Sequence, residues 1–474
     1  MVRDDMHDLV VIGAGSAGLT AVKFGLKLGA TVALVEKSRV GGDCTWTGCV
    51  PSKALLHVAK TMQAAQQASR FGKTADPIRT DMSKVKTYVQ DRIQTVYASE
   101  TPEKLAAEGA DVFFGKARFL DENRVQVGEQ IICGKKFVLA TGARPFIPPI
   151  DGLLETPYMT YKHIFENDRL PERLLVLGAG PIGMELGQAY RRLGAQVTLV
   201  DVALLPREEP EVAAVMAQVF ASEGIQCVRG LAAAVTYNNN QFSLLVEDKE
   251  ARQSRQLTGD MLLVAVGRIP NVSGMDLEKV GVAYGREGIQ VNQNLATTAS
   301  HIFAAGDCTG GLQFTHYAGW QGFQAVRNGL LPGSSKGVSD VIPNVTFTEP
   351  EVAHVGLTEQ AAIEAYGEKA QVWQRPLNQD DRAVVDGATE GFIKIVGLAD
   401  GRVLGATVVA PRAGEMIAEV TLAIQNKLKL RDIAYTIHPY PTYTNSLQLL
   451  AADWATEDFL DSVAGRFLGW LNRP

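Results

Sequence analysis

Two cysteines separated by four residues are the feature of this chain that most directly suggests chemistry. Cys44 and Cys49 lie in the stretch Gly-Gly-Asp-Cys-Thr-Trp-Thr-Gly-Cys-Val-Pro-Ser-Lys, residues 41–53. Pro51 suits the first turn of a helix, which puts Cys49 where backbone N–H groups and the helix dipole favour a thiolate. Lys53 adds a cation one helical turn beyond Cys49. The pair therefore predicts a redox-active disulfide.

Two other roles are compatible with this spacing: a pair of buried thiols, and half of a zinc site. The zinc alternative is disfavoured because the sequence has no second Cys/His pair with the spacing of metal ligands. The other three cysteines, Cys133, Cys227 and Cys308, have no disulfide-framework spacing. We expect these three to be buried, inert thiols, and such cysteine usage favours a reducing compartment such as the cytoplasm.

A predicted strand–helix–strand unit precedes the cysteine pair and contains a glycine-rich turn. The turn includes Gly13, Gly15 and Gly18, and the second strand ends at Glu36. Glycines at this spacing allow a tight turn and let a pyrophosphate approach a helix N-terminus. The acid at the end of the second strand is placed to accept a hydrogen bond from an adenosine ribose. The unit predicts a dinucleotide site.

The same pattern recurs later in the chain. Gly178, Gly180 and Gly183 follow an apolar strand, and Asp201 comes 18 residues after the third glycine, as Glu36 does in the first copy. Two such units suggest two dinucleotides, and a flavin beside a nicotinamide is the combination that a dithiol needs. The carboxylate of Asp201 repels a 2′-phosphate, and no Arg or Lys follows until Arg207, so NADH is favoured over NADPH.

Further motifs occur where predicted strands end. Thr141 and Gly142, in the segment 139–145, and Gly267, in the segment 264–271, belong to two similar stretches that close the first and second cofactor regions. Gly306 and Asp307 follow another apolar strand. An Asp there can accept a hydrogen bond from a ribityl hydroxyl of a flavin; the alternative is that it caps the helix that follows.

With these motifs in place, the whole chain resembles the class I pyridine nucleotide-disulfide oxidoreductases, FAD flavoproteins that include dihydrolipoamide dehydrogenase, glutathione reductase and mercuric reductase. The resemblance implies a homodimer whose active sites take residues from both subunits. It implies that NADH reduces FAD and that FAD reduces the Cys44–Cys49 disulfide, with Cys49 at the flavin and Cys44 facing the substrate. Lys53 would approach the flavin and pair with Glu185, whose alternative role is a solvated helix carboxylate.

The expected fold is α/β with an α+β C-terminal domain: two Rossmann-like dinucleotide-binding domains and an antiparallel-sheet interface domain for dimerisation. The expected boundaries are 1–155 with 275–338 for the FAD-binding and central domain, 156–274 for the NAD(P)-binding domain, and 339–474 for the interface domain. A Pro/Gly/Ser-rich stretch, 331–339, precedes the last boundary. Beyond it, predicted strands near 345–347, 392–396 and 403–409 alternate with helical segments.

One departure from the family pattern bears on the substrate. Members that reduce organic disulfides generally carry His-Pro-Thr, with a Glu four residues after the proline, as an acid–base dyad. Aligned on Pro441 and Thr442, this chain has Tyr440 in place of the histidine and Asn445 in place of the glutamate. A phenol, with an ordinary pKa of about 10, is a poor proton shuttle beside an imidazole at about 6.5. An ordinary lipoamide or glutathione reductase is therefore disfavoured.

Mercuric reductase also has a tyrosine at this position, because a soft metal ion held by thiolates does not need the same protonation of a thiol. The resemblance thus favours Hg(II) reduction, with no structural metal and a transient substrate metal at Cys44 and Cys49. Residues 1–474 nevertheless contain neither a C-terminal cysteine pair nor an N-terminal metal-binding domain of the kind that mercuric reductases carry. Asp43 and Trp46 also differ from the commonest family residues, so the natural oxidant stays open between a metal ion and a small thiol or disulfide.

Two further hypotheses compete with this interpretation. In one, the chain is a lipoamide-type dehydrogenase whose base has moved to His438, although neighbouring prolines favour a structural hydrogen bond for that residue. In the other, it is a flavin-bearing redox sensor or binding protein with low turnover. Rapid NADH oxidation with Hg(II) would support the metal-ion reductase. Turnover of lipoamide would support the dehydrogenase, and slow reduction of every acceptor would support the redox sensor.

Composition excludes several classes of partner. A net charge of −6 and a pI near 5.8, without a basic stripe, argue against nucleic-acid binding. The N-terminus is acidic, unlike a signal peptide, and no apolar run reaches the roughly 18 residues of a membrane span. In the tail 458–471, apolar residues fall mostly on one helical face. With Arg466 the only basic residue there and Arg473 just beyond it, we expect this face to pack on the protein rather than on a membrane surface.

Overall fold

The computed structural model describes residues 6–72 and 79–471, and for residues 468–471 it describes the backbone only. By its internal contacts the chain divides into two compact units. The first consists of the described residues up to Gly178 together with Ala189–Val197 and Ala232–Ser339. The second consists of Ala179–Gln188, Thr198–Leu231 and the chain from Asp340 onward. Arg473 lies outside the described residues.

The N-terminal part of the chain alternates strands and helices. Its elements are β1 His7–Ile12, α1 Ser16–Lys27, β2 Val32–Glu36, α2 Gly42–Trp46, α3 Cys49–Gln67, α4 Met82–Tyr97, α5 Pro102–Ala107, β3 Ala110–Phe114, β4 Ala117–Asp121, β5 Arg124–Val127, β6 Gln130–Leu139 and β7 Ala143–Pro145. The predicted strand–helix–strand unit is confirmed. The helix predicted at Pro51 is also confirmed, and it begins two residues earlier, at Cys49.

The middle of the chain repeats this alternation and adds a meander of β-strands. Its elements are β8 Arg173–Leu177, α6 Pro181–Leu193, β9 Gln196–Asp201, α7 Pro210–Ser222, β10 Gln226–Arg229, β11 Leu231–Asn238, β12 Gln241–Asp248, β13 Gln253–Gly259, β14 Met261–Val264, β15 Arg268–Pro270, β16 Tyr284–Gly285, β17 Gly288–Ile289, β18 Ile302–Ala304 and α8 Thr315–Leu330. Strand β8 pairs in parallel with β14, and β9 pairs in parallel with β10.

The C-terminal part is α+β, as expected. Its elements are β19 Asn344–Thr346, β20 Glu351–Gly356, α9 Glu359–Tyr366, β21 Ala370–Pro376, α10 Asp381–Asp386, β22 Phe392–Leu398, β23 Val403–Ala410, α11 Ala413–Gln425, α12 Leu430–Tyr435, α13 Tyr443–Asp461 and α14 Val463–Leu471. The strands form an antiparallel sheet in the order β19-β20-β23-β22-β21. Strand β21 escaped prediction because it is an edge strand with mostly polar, exposed residues.

A large sheet in the first unit positions the N-terminal motifs. Its strands follow the order β3-β2-β1-β6-β5-β4, with β18 also paired to β6. The strands β3, β2, β1, β6 and β18 run parallel to one another, whereas β5 and β4 continue the sheet as antiparallel strands. Parallel strands place their carboxyl ends at one edge, where ligands of such sheets bind. The first glycine turn, Glu36, Thr141 and Gly306 all lie at that edge.

Apolar residues cover both faces of this parallel sheet. On one face, Val11, Leu34 and Val138 pack with residues of α1 and α8. On the other face, Val10, Ala33 and Phe137 pack with residues of β4, β5 and the segment 275–291. Alternate residues of each strand therefore point to opposite cores, as expected for a parallel sheet that is buried on both sides.

The predicted single helical face of the tail is wrong, because the helix is interrupted. Helix α13 ends at Asp461, Ser462 has an extended backbone, and α14 begins at Val463. The Ser462 hydroxyl accepts a hydrogen bond from the Gly465 N–H at 3.0 Å. Phe459, Leu460, Val463 and Phe467 are 49–89% exposed, so this face is not buried within the described chain as expected. The side chains of Leu468, Trp470 and Leu471 lie outside the described part.

Two other expectations concern the burial of the remaining cysteines and the absence of a membrane span. Of the three remaining cysteines, only Cys308 is buried; Cys133 is half-buried and Cys227 is exposed, because β10 has a single buried position, Val228. No helix within the described residues is long and apolar enough to cross a membrane.

Candidate dithiol and dinucleotide sites

Backbone atoms lie so close to Gly13 and Gly18 of the first glycine turn that a side chain at either position would not fit. Gly13 has a φ of +108°, and a Cβ there would lie 2.3 Å from the carbonyl oxygen of Ala140 at the end of β6. A Cβ on Gly18 would lie 1.8 Å from the carbonyl oxygen of Gly13. The turn leads directly into α1, whose N-terminal N–H groups suit a phosphate.

The acid at the end of β2 is tied to this turn. Glu36 is 7% exposed, and its Oε2 accepts a hydrogen bond from the Ala14 N–H at 2.8 Å. Its Oε1 accepts from the Ser38 N–H at 2.8 Å. Because a carboxylate accepts several hydrogen bonds, these two leave capacity for a ribose hydroxyl. Glu36 therefore lies where the sequence predicts a ribose contact.

The two similar strand ends contact each other. The Thr141 hydroxyl donates to the Asn271 carbonyl oxygen at 2.6 Å, and the Asn271 N–H donates to the Gly142 carbonyl oxygen at 2.9 Å. Strands β7 and β15 extend this contact as an antiparallel pair. Gly267 precedes β15 with a φ of +130°. The internal resemblance of the segments 139–145 and 264–271 thus corresponds to two strand exits that meet.

Gly306 and Asp307 complete the edge of the parallel sheet. The Gly306 N–H donates to the side-chain oxygen of Gln321 at 2.8 Å, and Gln321 is 3% exposed. Asp307 starts a short 3₁₀ turn, whereas α8 begins only at Thr315 and is preceded by Phe314. The alternative role of Asp307 as the cap of that helix is therefore wrong.

The residues at this edge fit a flavin dinucleotide. The first glycine turn, the buried acid at the end of β2 and the Asp307 carboxylate converge at the carboxyl ends of parallel strands. Asp307 is paired with Arg268, whose Nε is buried without a hydrogen-bond partner among the described residues. A buried guanidinium N–H without an acceptor leaves donor capacity for an anionic group. Gly13, Gly15, Gly18, Glu36, Thr141, Gly142, Gly306 and Asp307 would hold FAD here.

The two thiols of the predicted redox pair are brought together. Cys44 lies in α2, Cys49 is the first residue of α3, and both are half-buried. Hydrogen bonding to Cys49 and burial raise the pKa of the Cys44 thiol above its ordinary range. The Cys49 Sγ also lies 3.1 Å from the hydroxyl oxygen of Thr315. Two adjacent thiols at a helix N-terminus are suited to reversible disulfide formation.

The loop that carries the thiols is fastened to the first glycine turn. The Gly41 N–H donates to the Ala14 carbonyl oxygen at 2.8 Å. Gly42 has a φ of +61°, and a Cβ there would lie 2.6 Å from the Cα of Gly15. The redox loop, residues 41–53, therefore packs backbone to backbone against the turn. Lys53 lies in α3, one turn after Cys49, and is half-buried.

The zinc alternative has no support in this geometry. Within the ranges 6–72 and 79–471, no group of three or more His, Cys, Asp and Glu side chains converges as a metal site.

The second glycine turn has the same internal construction as the first. Gly178 has a φ of +102°, and a Cβ there would lie 2.5 Å from the Ala265 carbonyl oxygen at the end of β14. The Ala179 N–H donates to Asp201 Oδ2 at 2.7 Å, and the Val202 N–H donates to Asp201 Oδ1 at 2.7 Å. The assignment of Gly178, Gly180, Gly183, Asp201 and Gly267 to the nicotinamide cofactor stays a prediction.

Glu185 follows the second turn in α6 and is not a solvated carboxylate. Its side chain is 6% exposed, and its Oε1 accepts a hydrogen bond from the Phe347 N–H at 2.9 Å. Nearby in the same helix, Gln188 is 1% exposed and bonds both the N–H and the carbonyl oxygen of Glu349 at 2.8 Å. The alternative role of Glu185 is wrong, and its pairing with Lys53 stays a prediction.

The two aromatic candidates near the C-terminus differ in accessibility. Tyr440 is 70% exposed, and its hydroxyl donates to Asp381 Oδ2 at 2.9 Å, which raises the pKa of the phenol. The His438 side chain is only 5% exposed; its Nδ1 contacts the Thr436 carbonyl oxygen at 2.8 Å and its Nε2 contacts both oxygens of Glu419 at 3.0 Å. Both ring nitrogens of His438 are therefore engaged in the protomer.

Known proteins with similar sequences include both enzymes suggested by the motifs. The dihydrolipoyl dehydrogenase of Thermus scotoductus is 36% identical over 93% of this chain and 96% of its own length. The mercuric reductase of Staphylococcus aureus is 35% identical over 95% of this chain and 82% of its own length. Among solved structures, the Cu(II) complex of the HOCl-induced flavoprotein disulfide reductase RclA from Escherichia coli superposes with a TM-score of 0.82 and 30% identity, covering 93% of this chain and 98% of that one.

Two family profiles span most of the chain. Residues 7–322 match the pyridine nucleotide-disulphide oxidoreductase domain, and residues 342–451 match the dimerisation domain of the same family. These enzymes use FAD and a nicotinamide cofactor, and the glycine turns, the thiol pair and the antiparallel C-terminal sheet all agree with that assignment. The chain belongs to the pyridine nucleotide-disulphide oxidoreductase family and is an FAD-dependent oxidoreductase of class I.

Proposed function

We propose that this chain is an NADH-dependent reductase that passes two electrons through FAD and the Cys44–Cys49 pair to a metal ion such as Hg(II), or to a small thiol or disulfide acceptor. The observation that carries the proposal is the closeness of Cys44, in α2, to Cys49, at the start of α3, in a loop that packs against the first glycine turn. The enzyme would act as a homodimer in the cytoplasm, with Tyr440 facing Cys44 of the partner subunit.

The protein's own residues would handle the electrons and the proton. FAD, when bound, supplies the chemistry that converts a hydride from NADH into an electron pair for sulfur. Cys49, at the N-terminus of α3, is suited to remain a thiolate, and Cys44 is the sulfur that exchanges with substrate. Reduction breaks the S–S bond, takes up two electrons and one proton, and leaves one thiol and one thiolate.

A metal ion is the acceptor that best suits the group at position 440. The hydrogen bond to Asp381 holds the pKa of the Tyr440 phenol above its ordinary value, so the phenol is an even poorer proton shuttle than free tyrosine. Hg(II) held by two sulfur atoms accepts two electrons and leaves as Hg(0) without a thiol leaving group to protonate. The mercuric reductase relatives, and the Cu(II) complex of the RclA structure, support a metal-ion substrate.

The nicotinamide preference rests on Asp201. Its carboxylate lies at the end of β9 and is held by the Ala179 N–H, as expected for a group that meets a ribose. A 2′-phosphate at that position would meet a like charge. NADH is therefore the proposed electron donor.

Dihydrolipoamide oxidation by a relocated base is the second candidate, and the 36% identical relative keeps it open. It would require His438 to exchange protons with the interchange thiol. The position of that imidazole argues against this role, because it is 5% exposed and its Nε2 lies 3.0 Å from Glu419. A structural hydrogen bond is the better account of His438.

Steady-state turnover separates these candidates. We expect rapid NADH oxidation with Hg(II) in excess thiol, and slow turnover of lipoamide and glutathione disulfide. The double change Tyr440→His with Asn445→Glu should raise disulfide turnover by about 10²-fold, the lower range for a positioned acid–base group, without raising Hg(II) reduction. Efficient wild-type lipoamide turnover that is lost on His438→Ala would favour the second candidate, and slow reduction of every acceptor would favour a redox sensor.

A further inference from the structure

An ion-pair network meets the redox loop at Asp43, the residue before Cys44. The Tyr161 hydroxyl donates to Asp43 Oδ2 at 3.1 Å, and the Lys162 ammonium is in direct contact with Asp43 Oδ1. Arg268 adds a second cation, with NH2 3.9 Å from Asp43 Oδ2. The carboxylate thus joins the redox loop to two separate stretches of the first unit.

The network continues to Asp307 and is partly shielded from water. Arg268 also pairs directly with Asp307, and its guanidinium carbon lies 5.7 Å from the ring centre of Tyr161. The side chains of Arg268 and Asp307 are 20% and 13% exposed. Burial raises the pKa values of Tyr161 and Asp307. With both carboxyls ionised, two carboxylates and two cations cancel to zero formal charge.

We propose that Asp43 and Lys162 are positioning residues, which fix the redox loop and set the reduction potential of the Cys44–Cys49 pair through their charges. The inference rests on the proposed redox role of the two cysteines. It assigns a purpose to Asp43, one of the two loop residues that depart from the commonest family pattern.

The sign of the effect follows from the charge that reduction adds. Because the disulfide takes up two electrons and one proton, the reduced pair carries one more negative charge than the oxidised pair. Removing the Lys162 cation leaves the network at −1 and opposes reduction, whereas removing the Asp43 charge leaves it at +1 and favours reduction. The side chains of Asp43 and Lys162 are 30% and 33% exposed, so water screens their charges only in part, and a unit charge beside Cys44 changes such an equilibrium measurably.

The other groups named near the sulfur atoms do not account for a change in reduction potential between the variants. The side chains of Ser16 and Thr315, which hydrogen-bond the thiols, are uncharged hydroxyls. Lys53, the cation on the same helix as Cys49, is present in every variant compared. A change in potential on substitution of Asp43 or Lys162 therefore reports their own charges.

The experiment measures the midpoint potential of the cysteine pair in the FAD-loaded enzyme, equilibrated anaerobically with dithiothreitol redox buffers and scored by thiol alkylation. We expect Lys162→Met to lower the equilibrium constant for reduction by roughly five- to tenfold, or about 20–30 mV for a two-electron couple, and Asp43→Asn to raise it by a similar factor. The double variant should return near the wild-type potential, and Lys162→Arg should retain it.

Lys135→Met is the matched control, because Lys135 forms an exposed ion pair with Asp8 at the opposite end of β1 from the glycine turn. Flavin absorbance and thermal melting show that each variant is folded and loaded. Opposite shifts support electrostatic positioning. Shifts of the same sign, or shifts no larger than that of Lys135→Met, overturn it. If the wild-type cysteines show no two-electron transition, the proposed function itself fails.

Discussion

The two glycine turns share one internal construction. In each, the first glycine packs against the carbonyl oxygen of an alanine at the end of a neighbouring parallel strand, at 2.3 Å and 2.5 Å from the position of a Cβ. In each, the alanine after that glycine donates its N–H to the acid of the next strand, Glu36 at 2.8 Å and Asp201 at 2.7 Å. The repeat in sequence is a repeat in hydrogen bonding.

The turns differ in what covers them. The first turn is covered by the redox loop, through the Gly41 N–H and the contact of Gly42 with Gly15. At Gly180 of the second turn, no atom of the described chain lies within 4 Å of the position of a Cβ. The difference suggests why one motif suits a permanently held FAD whose electrons reach a thiol pair, whereas the other suits a nicotinamide that enters and leaves.

The largest expected effects follow from alanine substitution of the first glycine in each turn. Gly13→Ala meets both a left-handed φ and a backbone oxygen, so we expect the enzyme to lose FAD and with it all activity. Gly178→Ala should retain FAD but raise the KM for NADH by about tenfold or more, the effect of losing roughly 1.4 kcal/mol of binding. Flavin content and steady-state kinetics measure both. Loss of FAD from Gly178→Ala alone would reverse the assignment of the turns.

A smaller effect should follow from a substitution in the redox loop, at its contact with the first turn. Gly42→Ala places a Cβ against Gly15 and should displace Cys44, lowering acceptor turnover by up to about 10²-fold, the cost of a misplacement near 1 Å. Gly281→Ala is the control, because Gly281 also has a positive φ but, within the described residues, open space around it. Equal losses in both variants would show that backbone strain, and not the loop contact, is responsible.

The sequence was informative where a motif carries its own geometry. Glycine spacing, the acids that end β2 and β9 and the cysteine pair are local patterns, and the structure places them as expected. The contacts of Thr315 with Cys49, and of Tyr161 and Lys162 with Asp43, join residues more than a hundred positions apart, with no periodic signal. The break at Ser462 escaped prediction because the apolar pattern continues across it.

The charge of Asp201 at the end of β9 should determine the preference for NADH over NADPH. Wild-type enzyme should prefer NADH to NADPH by at least about tenfold in kcat/KM, since a lost ribose contact or a phosphate clash costs roughly 1.4 kcal/mol. Asp201→Asn should reduce this preference, because it removes the like charge that a 2′-phosphate would meet. Equal wild-type values would mean that a cation such as Arg207 reaches the phosphate.

The smallest effect concerns stability in the stretch that follows the second turn. Burial raises the pKa of Glu208 to about 7, above the 4.5 of an exposed carboxyl. The group is thus protonated in the fold below pH 7, and the fold loses stability as the pH rises from the unfolded pKa of 4.5 to the folded pKa of about 7. Glu208→Gln, which stays neutral, should melt roughly 2 °C above wild type at pH 8 and equally at about pH 4. A constant difference across this range would contradict the assignment.

The central claim is that electrons from NADH reach the Cys44–Cys49 pair beside the first turn. The direct test is anaerobic: FAD-loaded protein, first oxidised so that the pair is a disulfide, is treated with NADH, alkylated and analysed by mass spectrometry. The account predicts that both cysteines become alkylated only after NADH, with Cys133, Cys227 and Cys308 unchanged. If NADH bleaches the flavin but leaves Cys44 and Cys49 joined as a disulfide, the thiol pair is not in the electron path and the account is contradicted.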